Sequence, residues 1–261
     1  MYNIIAKGIY LKRLTVHIPN AITLLNLISG CMAVVLASQG GLVLAALFIF
    51  AGAVFDFLDG MAARLLGVSS PIGQQLDSLA DIITFGFAPA FLLYSHLAHM
   101  HAEPVLPYHQ PGLSYFDMAG MYLPFVMVVF AALRLARFNV DASQKEAFLG
   151  LPTPAAALLA ASALYIYHQQ DVFQQYGVLV QPRFWEALTV VLGVLMVLPV
   201  RMFSLKFKHL RWKGNQFQYI FVGISLILLV SLQAVALPLI MVWYVVLSFV
   251  YHIFDIKSSR I

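Results

Sequence analysis

The sequence predicts an all-α polytopic membrane protein, and three observations predict it. Of 261 residues, 62% are hydrophobic and 10% charged, against roughly half and a quarter in soluble domains. The mean hydropathy is +0.87. The apolar residues gather into eight runs close to membrane-spanning length, with short connections between them.

The runs cover residues 20–38, 42–63, 74–96, 116–138, 149–168, 184–200, 217–232 and 236–254. The first two are joined by the tight turn Ser38–Gly41, so they form a helical hairpin. Runs five and six have short apolar cores, and Pro152 and Pro154 interrupt the start of run five. A shallow or re-entrant pair there would leave six full spans, so the expected count is about eight, within six to eight. The chain divides into an N-terminal juxtamembrane arm (1–19), one transmembrane domain (20–254) and a short tail (255–261). No stretch is polar and long enough for a separate soluble domain.

Orientation follows from the basic residues. Lys7, Lys12, Arg13, Arg64, Arg134, Arg137, Lys145, Arg201, Lys206, Lys208, Arg211, Lys213, Lys257 and Arg260 fall on one side of an eight-span chain. Only Arg183 falls on the other. Both termini and the 64–73 connection are therefore expected to face the cytoplasm. The net charge of +4 is a cytoplasmic belt for anionic headgroups, not a nucleic-acid surface. The arm mixes Ile4, Ile5, Ile9 and Leu11 with cations, as an interfacial helix does, although its periodicity is not clean.

Other features are weaker. Cys31 stands alone, so no internal disulfide exists. The first apolar run has full spanning length and no small-residue cleavage site after it, so no cleaved signal peptide is expected. His96, His99, His101 and His109 cluster about the 97–115 connection. With neither cysteine nor paired carboxylates beside them, they read as part of a solvated, proline-broken loop.

The chemistry concentrates in Val54–Gly86. Asp56 and Asp59 are i, i+3 at the end of run two, and Asp77 and Asp81 are i, i+4 at the start of run three. Both spacings put the two carboxylates on one helix face. An antiparallel pair of helices brings all four to one depth. Four carboxylates in a low-dielectric setting need compensating charge. Arg64 supplies one positive charge, and one or two Mg²⁺ or Mn²⁺ ions, which favour hard oxygen ligands, supply the rest. Such a cage suits phosphate chemistry. Gly60, Ala63 and Gly73 keep the faces small enough for a bulky ligand to approach the backbone. Asn20, Thr23 and Asn26, early in run one, either reach a ligand headgroup or bond neighbouring helices.

These residues read D-x₂-D-G-x₂-A-R-x₈-G-x₃-D-x₃-D, from Asp56 through Asp59, Gly60, Ala63, Arg64, Gly73 and Asp77 to Asp81. The pattern resembles the signature of the CDP-alcohol phosphatidyltransferases at every position. The stretches IPNAITLLNLISG, LDSLADIITFGFAPA, LRLARFNV and GLPTPAAA are similar to the membrane-embedded phosphatidylserine synthases of that family. The resemblance implies transfer of a phosphatidyl group from CDP-diacylglycerol to L-serine, with CMP released. It implies that Asp56, Asp59 and Asp77 ligate the metals, with Asp81 the general base and a further metal ligand. Gly60, Ala63, Arg64 and Gly73 would hold CDP, and a homodimer is expected.

The acceptor site lies beyond the signature. Serine carries a carboxylate, which a bidentate arginine fits. Arg134 and Arg137, i, i+3 at the end of run four, are the candidates, against the reading that they only anchor the helix. Glycerol-3-phosphate or an inositol phosphate would suit the same arginines, and an ether-linked CDP donor is also open. A divalent-cation transporter would need acidic groups deeper in the spans and open to both faces. All four aspartates lie toward one side.

Overall fold

The computed structural model describes residues 17–100, 115–140, 148–170, 177–203, 205, 212 and 214–258. The N-terminal arm up to residue 16, His101, His109, Lys145 and most of the basic 206–213 stretch lie outside the described residues, and with them the interfacial-helix reading of the arm.

Each apolar run contains a helix. α1 (His17–Ser38) and α2 (Leu42–Leu66) form the expected hairpin, turning at Gly40 with φ 81°. α3 (Pro71–Asp81) passes through one π-helical turn (Ile82–Phe87) into α4 (Ala88–Met100). α5 (Tyr115–Tyr122) continues through a 3₁₀ turn, Leu123–Phe125, into α6 (Val126–Val140). α7 (Thr153–Gln169) and α8 (Pro182–Val197) follow, then α9 (Gln216–Leu232) and α10 (Ala236–Ser258).

Among the described residues, five stretches are long and apolar enough to cross a membrane: His17–Ser38, Leu42–Leu66, Pro71–Met100, Tyr115–Val140 and Gln216–Phe254. The chain is an integral membrane protein. As one helix, the 39 residues of the last stretch would be about 58 Å long, nearly twice the hydrocarbon thickness. It is broken at Gln233 (φ 50°, ψ −125°) and folds into the α9–α10 hairpin. α7 and α8, with 17 and 16 residues, fall short of spanning length. At about 26 Å and 24 Å they are the weak pair that the short apolar cores of runs five and six predict.

Pro152 and Pro154 interrupt the start of run five as expected: helix begins only at Thr153, with Pro152 before α7 and Pro154 in its first turn, where a missing N–H costs nothing. Residues ahead of them are extended: Phe148–Leu149 (β1) pairs antiparallel with Arg201–Met202 (β2). Gly150, at φ 76°, joins this ladder to α7, and a Cβ there would collide with the Met196 carbonyl. One local expectation needs correction: His96 and His99 are not loop residues. Both lie in α4, where His96 is buried with its Nδ1 3.1 Å from His168 Nε2.

The core forms around α4. Ala88, Ala90, Leu92, Leu93, Leu97 and Ala98 are wholly buried there, as expected of a helix apolar on every side. α1, α2, α6, α7 and α8 pack about it. Exposed apolar side chains such as Leu44, Val54, Leu226, Ile227 and Val230 cover the outside, which in a bilayer meets lipid.

Candidate active site at the α2–α3 corner

The corner between α2 and α3 is short because both helix ends are capped. Gly67 (φ 59°) ends α2 in the left-handed conformation, its N–H reaching the Ala63 and Arg64 carbonyls. Ser70 starts α3, its Oγ accepting from the Gly73 N–H at 2.9 Å, with Pro71 in the first turn. Four residues, 67–70, thus return the chain antiparallel.

That return brings Asp56, Asp59 and Asp77 together. Each offers a carboxylate oxygen, and the three oxygens lie within 4.8 Å of one another. Asp59 is buried; Asp56 and Asp77 are half-buried. Asp81, one turn deeper, is buried and within electrostatic reach of Asp56 and Asp77. Three oxygens this close could hold a hard divalent cation.

α1 completes the site. Thr23 Oγ1 donates to Asp59 Oδ2 at 2.6 Å, and Asn26 Nδ2 donates to Asp81 Oδ1 at 3.3 Å. Asn20 faces Gly73, where a Cβ would stand 2.9 Å from Asn20 Oδ1. Thr23 and Asn26 therefore bond to the aspartates, while Asn20 and Thr23 line the cleft. A cleft of about 150 Å³ opens beside the carboxylates, walled by Pro19, Asn20, Gly60, Ala63, Gly73 and Asp77 among others. Arg64 lies over Gly60, exposed, and within electrostatic reach of Asp59. It makes no ion pair with the cluster: among the described residues the ion pairs are Arg183 with Asp117 (2.9 Å) and with Glu186 (2.8 Å).

The two arginines of α6 lie apart from the cleft. Arg134 is buried, its Nη1 3.4 Å from Thr153 Oγ1 and its Nε without a partner. Asp81 and Tyr244 are within its electrostatic reach. Arg137 is exposed. Both line a second cavity of about 90 Å³, against Leu149 and the end of α8 at Met196–Pro199.

Sequence reasoning missed three features. Thr84, in the π-turn, donates to the Asn26 carbonyl at 3.0 Å; its place three residues after Asp81 was the available signal. Ser78 pairs with Asn139 at 2.9 Å, tying α3 to α6. Arg183 joins α5 to α8 through its two carboxylates, a link that a count of basic residues cannot reveal.

Residues 16–205 match the family model of the CDP-alcohol phosphatidyltransferases, and the match contains the whole corner. The CDP-diacylglycerol–serine O-phosphatidyltransferase of Helicobacter pylori is 30% identical over 220 residues, 84% of each chain. The enzyme of that name from Bacillus subtilis is 36% identical over 152 residues, 58% of this chain and 77% of its own. The one from Methanocaldococcus jannaschii is 27% identical over 231 residues, 88% of this chain and 92% of its own. With a match across most of its length and a carboxylate corner at the matched aspartates, the chain belongs to the CDP-alcohol phosphatidyltransferase family and is an enzyme of phospholipid synthesis.

Proposed function

We propose that this enzyme transfers the phosphatidyl group of CDP-diacylglycerol to the hydroxyl of L-serine, giving phosphatidylserine and CMP. The observation that carries the reading is the convergence of Asp56, Asp59 and Asp77 within 4.8 Å beside a cleft floored by Gly60, Ala63 and Gly73. The names of the relatives from Helicobacter pylori and Bacillus subtilis support serine as acceptor.

In this reading Asp56, Asp59 and Asp77 hold Mg²⁺ or Mn²⁺, with Asp81, one turn further along α3, as a further ligand. When bound, the metal supplies charge neutralisation at the diphosphate. CDP lies in the cleft. The bare backbone at Gly60 and Gly73 admits it, Ala63 leaves room, and Arg64 at the rim meets its phosphates. Asp81 takes the proton from the serine hydroxyl. The serine oxygen bonds to the diacylglycerol-linked phosphorus, and the bond from that phosphorus to the CMP oxygen breaks, its electron pair leaving with CMP. Arg134, with Thr153 beside it, receives the serine carboxylate, and Arg137 at the surface attracts that carboxylate end of the zwitterion.

The remaining arrangement is inferred with it. The chain crosses the membrane eight times, α7 and α8 included, with both termini and the aspartates on the cytoplasmic side. The arm (1–19) and tail (255–261) flank the single membrane domain, and two chains form a homodimer. The deciding experiment is an acceptor screen with purified protein and CDP-diacylglycerol. CMP release is expected with serine and Mg²⁺ or Mn²⁺, not with glycerol-3-phosphate or inositol phosphate. Release with a phosphorylated acceptor alone would overturn the serine reading.

A further inference from the structure

One helical turn deeper than the carboxylates, three helices meet on a single side chain. Thr84, wholly buried in the π-turn, is wedged between Gly30 of α1 and Gly52 of α2. A Cβ on Gly30 would stand 2.5 Å from Thr84 Oγ1, and one on Gly52 would collide with the Thr84 methyl. The hydroxyl therefore faces α1 and the methyl faces α2, which fixes the rotamer of a β-branched residue. The hydroxyl donates to the Asn26 carbonyl at 3.0 Å. Asn26 is itself wholly buried, and its Nδ2 donates to Asp81 Oδ1 at 3.3 Å.

The spacings connect this wedge to the chemistry. Thr84 follows Asp81 by three residues, Gly30 follows Asn26 by four, and Gly52 precedes Asp56 by four. Each contact of Thr84 thus lies one turn from a residue at the site. The π-turn begins at the residue after Asp81. Its wider winding is a device found mostly at functional sites. Gly52 also leaves space for the Asn26 carboxamide, whose Oδ1 would stand 3.1 Å from a Cβ there. That oxygen has no partner, so the amide forms one directed bond, to Asp81.

We propose that Asn26 and Thr84 are positioning residues for Asp81. The Asn26 N–H holds one oxygen of the carboxylate and leaves the other for the acceptor hydroxyl. Thr84 fixes the backbone of Asn26 and the phase of the helix that carries Asp81. The inference rests on the reading of Asp81 as the base. It needs no contact between either residue and a substrate.

The test uses the full chain in detergent with CDP-diacylglycerol, serine and Mn²⁺. Asn26→Leu keeps the volume and removes the donor. It is expected to lower kcat by about 100-fold, the scale of an ångström misplacement, while the affinity for CDP-diacylglycerol stays within about threefold. Thr84→Val removes the hydroxyl and is expected to lower kcat by about tenfold, and Thr84→Ser, which restores it, should return most of that loss. A role in packing alone predicts the reverse: Thr84→Ser, lacking the methyl, would be worse than Thr84→Val, and donor affinity and Tm would fall with kcat. That outcome overturns the proposal, as does an unchanged kcat in Asn26→Leu. Should Asn26→Leu fail to assemble, the Thr84 pair decides. Asp81→Asn is measured in parallel. If it turns over, the base reading falls and this one with it. If it is dead while Asn26→Leu and Thr84→Val are fully active, only the positioning role falls.

Discussion

Thr23 on α1 donates a 2.6 Å hydrogen bond to Asp59 on α2, linking a wall of the cleft directly to the carboxylate cluster. Thr23 Oγ1 also lies 3.0 Å from the Pro19 carbonyl, an acceptor on its own helix. One hydroxyl proton serves one acceptor at a time, and the shorter bond goes to the carboxylate.

Thr23→Val keeps the shape and removes that donor. Outer-shell partners of metal-binding carboxylates are commonly worth about 10–100-fold in metal affinity or activity. The Mn²⁺ concentration for half-maximal activity is expected to rise on that scale. A Mn²⁺ titration checks it, with direct Mn²⁺ binding as the second readout. A curve superimposed on the wild type would show the bond to be idle.

Gly73→Ala adds a methyl 2.9 Å from Asn20 Oδ1 and 3.0 Å from Ser70 Oγ. Asn20 has to move, and it lines the cleft. One unwanted methyl in a fitted pocket is worth about tenfold or more. The KM for CDP-diacylglycerol should rise on that scale, with a smaller change in kcat at saturating donor. A fall in kcat alone would show that Gly73 does not shape the nucleotide site.

Arg134 and Arg137 separate by burial. Removing the buried partner of an ion is expensive, whereas a rim charge acts mainly on association. Arg134→Ala and Arg134→Lys should raise the serine KM at least about tenfold. Arg137→Ala should raise it less, and that effect should fade with added salt. If neither arginine alters the serine KM, the acceptor carboxylate binds elsewhere.

The orientation has a labelling test. Cys31 is the sole cysteine, so Cys31→Ser gives a clean background. Ser69, exposed in the α2–α3 corner, and Val178, exposed in the turn before α8, receive single cysteines. An impermeant maleimide should label Ser69→Cys in inverted vesicles and Val178→Cys in right-side-out ones. The opposite pattern would invert the topology.

The sequence makes some of this legible and leaves the rest hidden, for physical reasons. Asp56, Asp59, Asp77 and Asp81 could be read because helical spacing puts each pair on one face, and a short connection admits only an antiparallel return. The apolar runs could be read because a bilayer leaves the backbone few options. The bonds of Thr23 and Asn26 could not, because they cross 36 and 55 residues. The π-turn after Asp81 was hidden because its cause, Thr84 seated between Gly30 and Gly52, is tertiary. Pro152 and Pro154 could be read as the interruption at the start of run five because proline is tolerated in a first helical turn but not within a helix.

α7 and α8, at about 26 Å and 24 Å, are shorter than the hydrocarbon layer is thick. They meet at the end that carries Arg134: the Leu151 N–H bonds to the Leu195 carbonyl, and the cavity of Arg134 and Arg137 opens just beyond. Lipid beside a short helix thins to match it. In the eight-span reading proposed above, the water boundary is drawn inward at this flank, and a small zwitterion arriving there meets a dimple in the membrane.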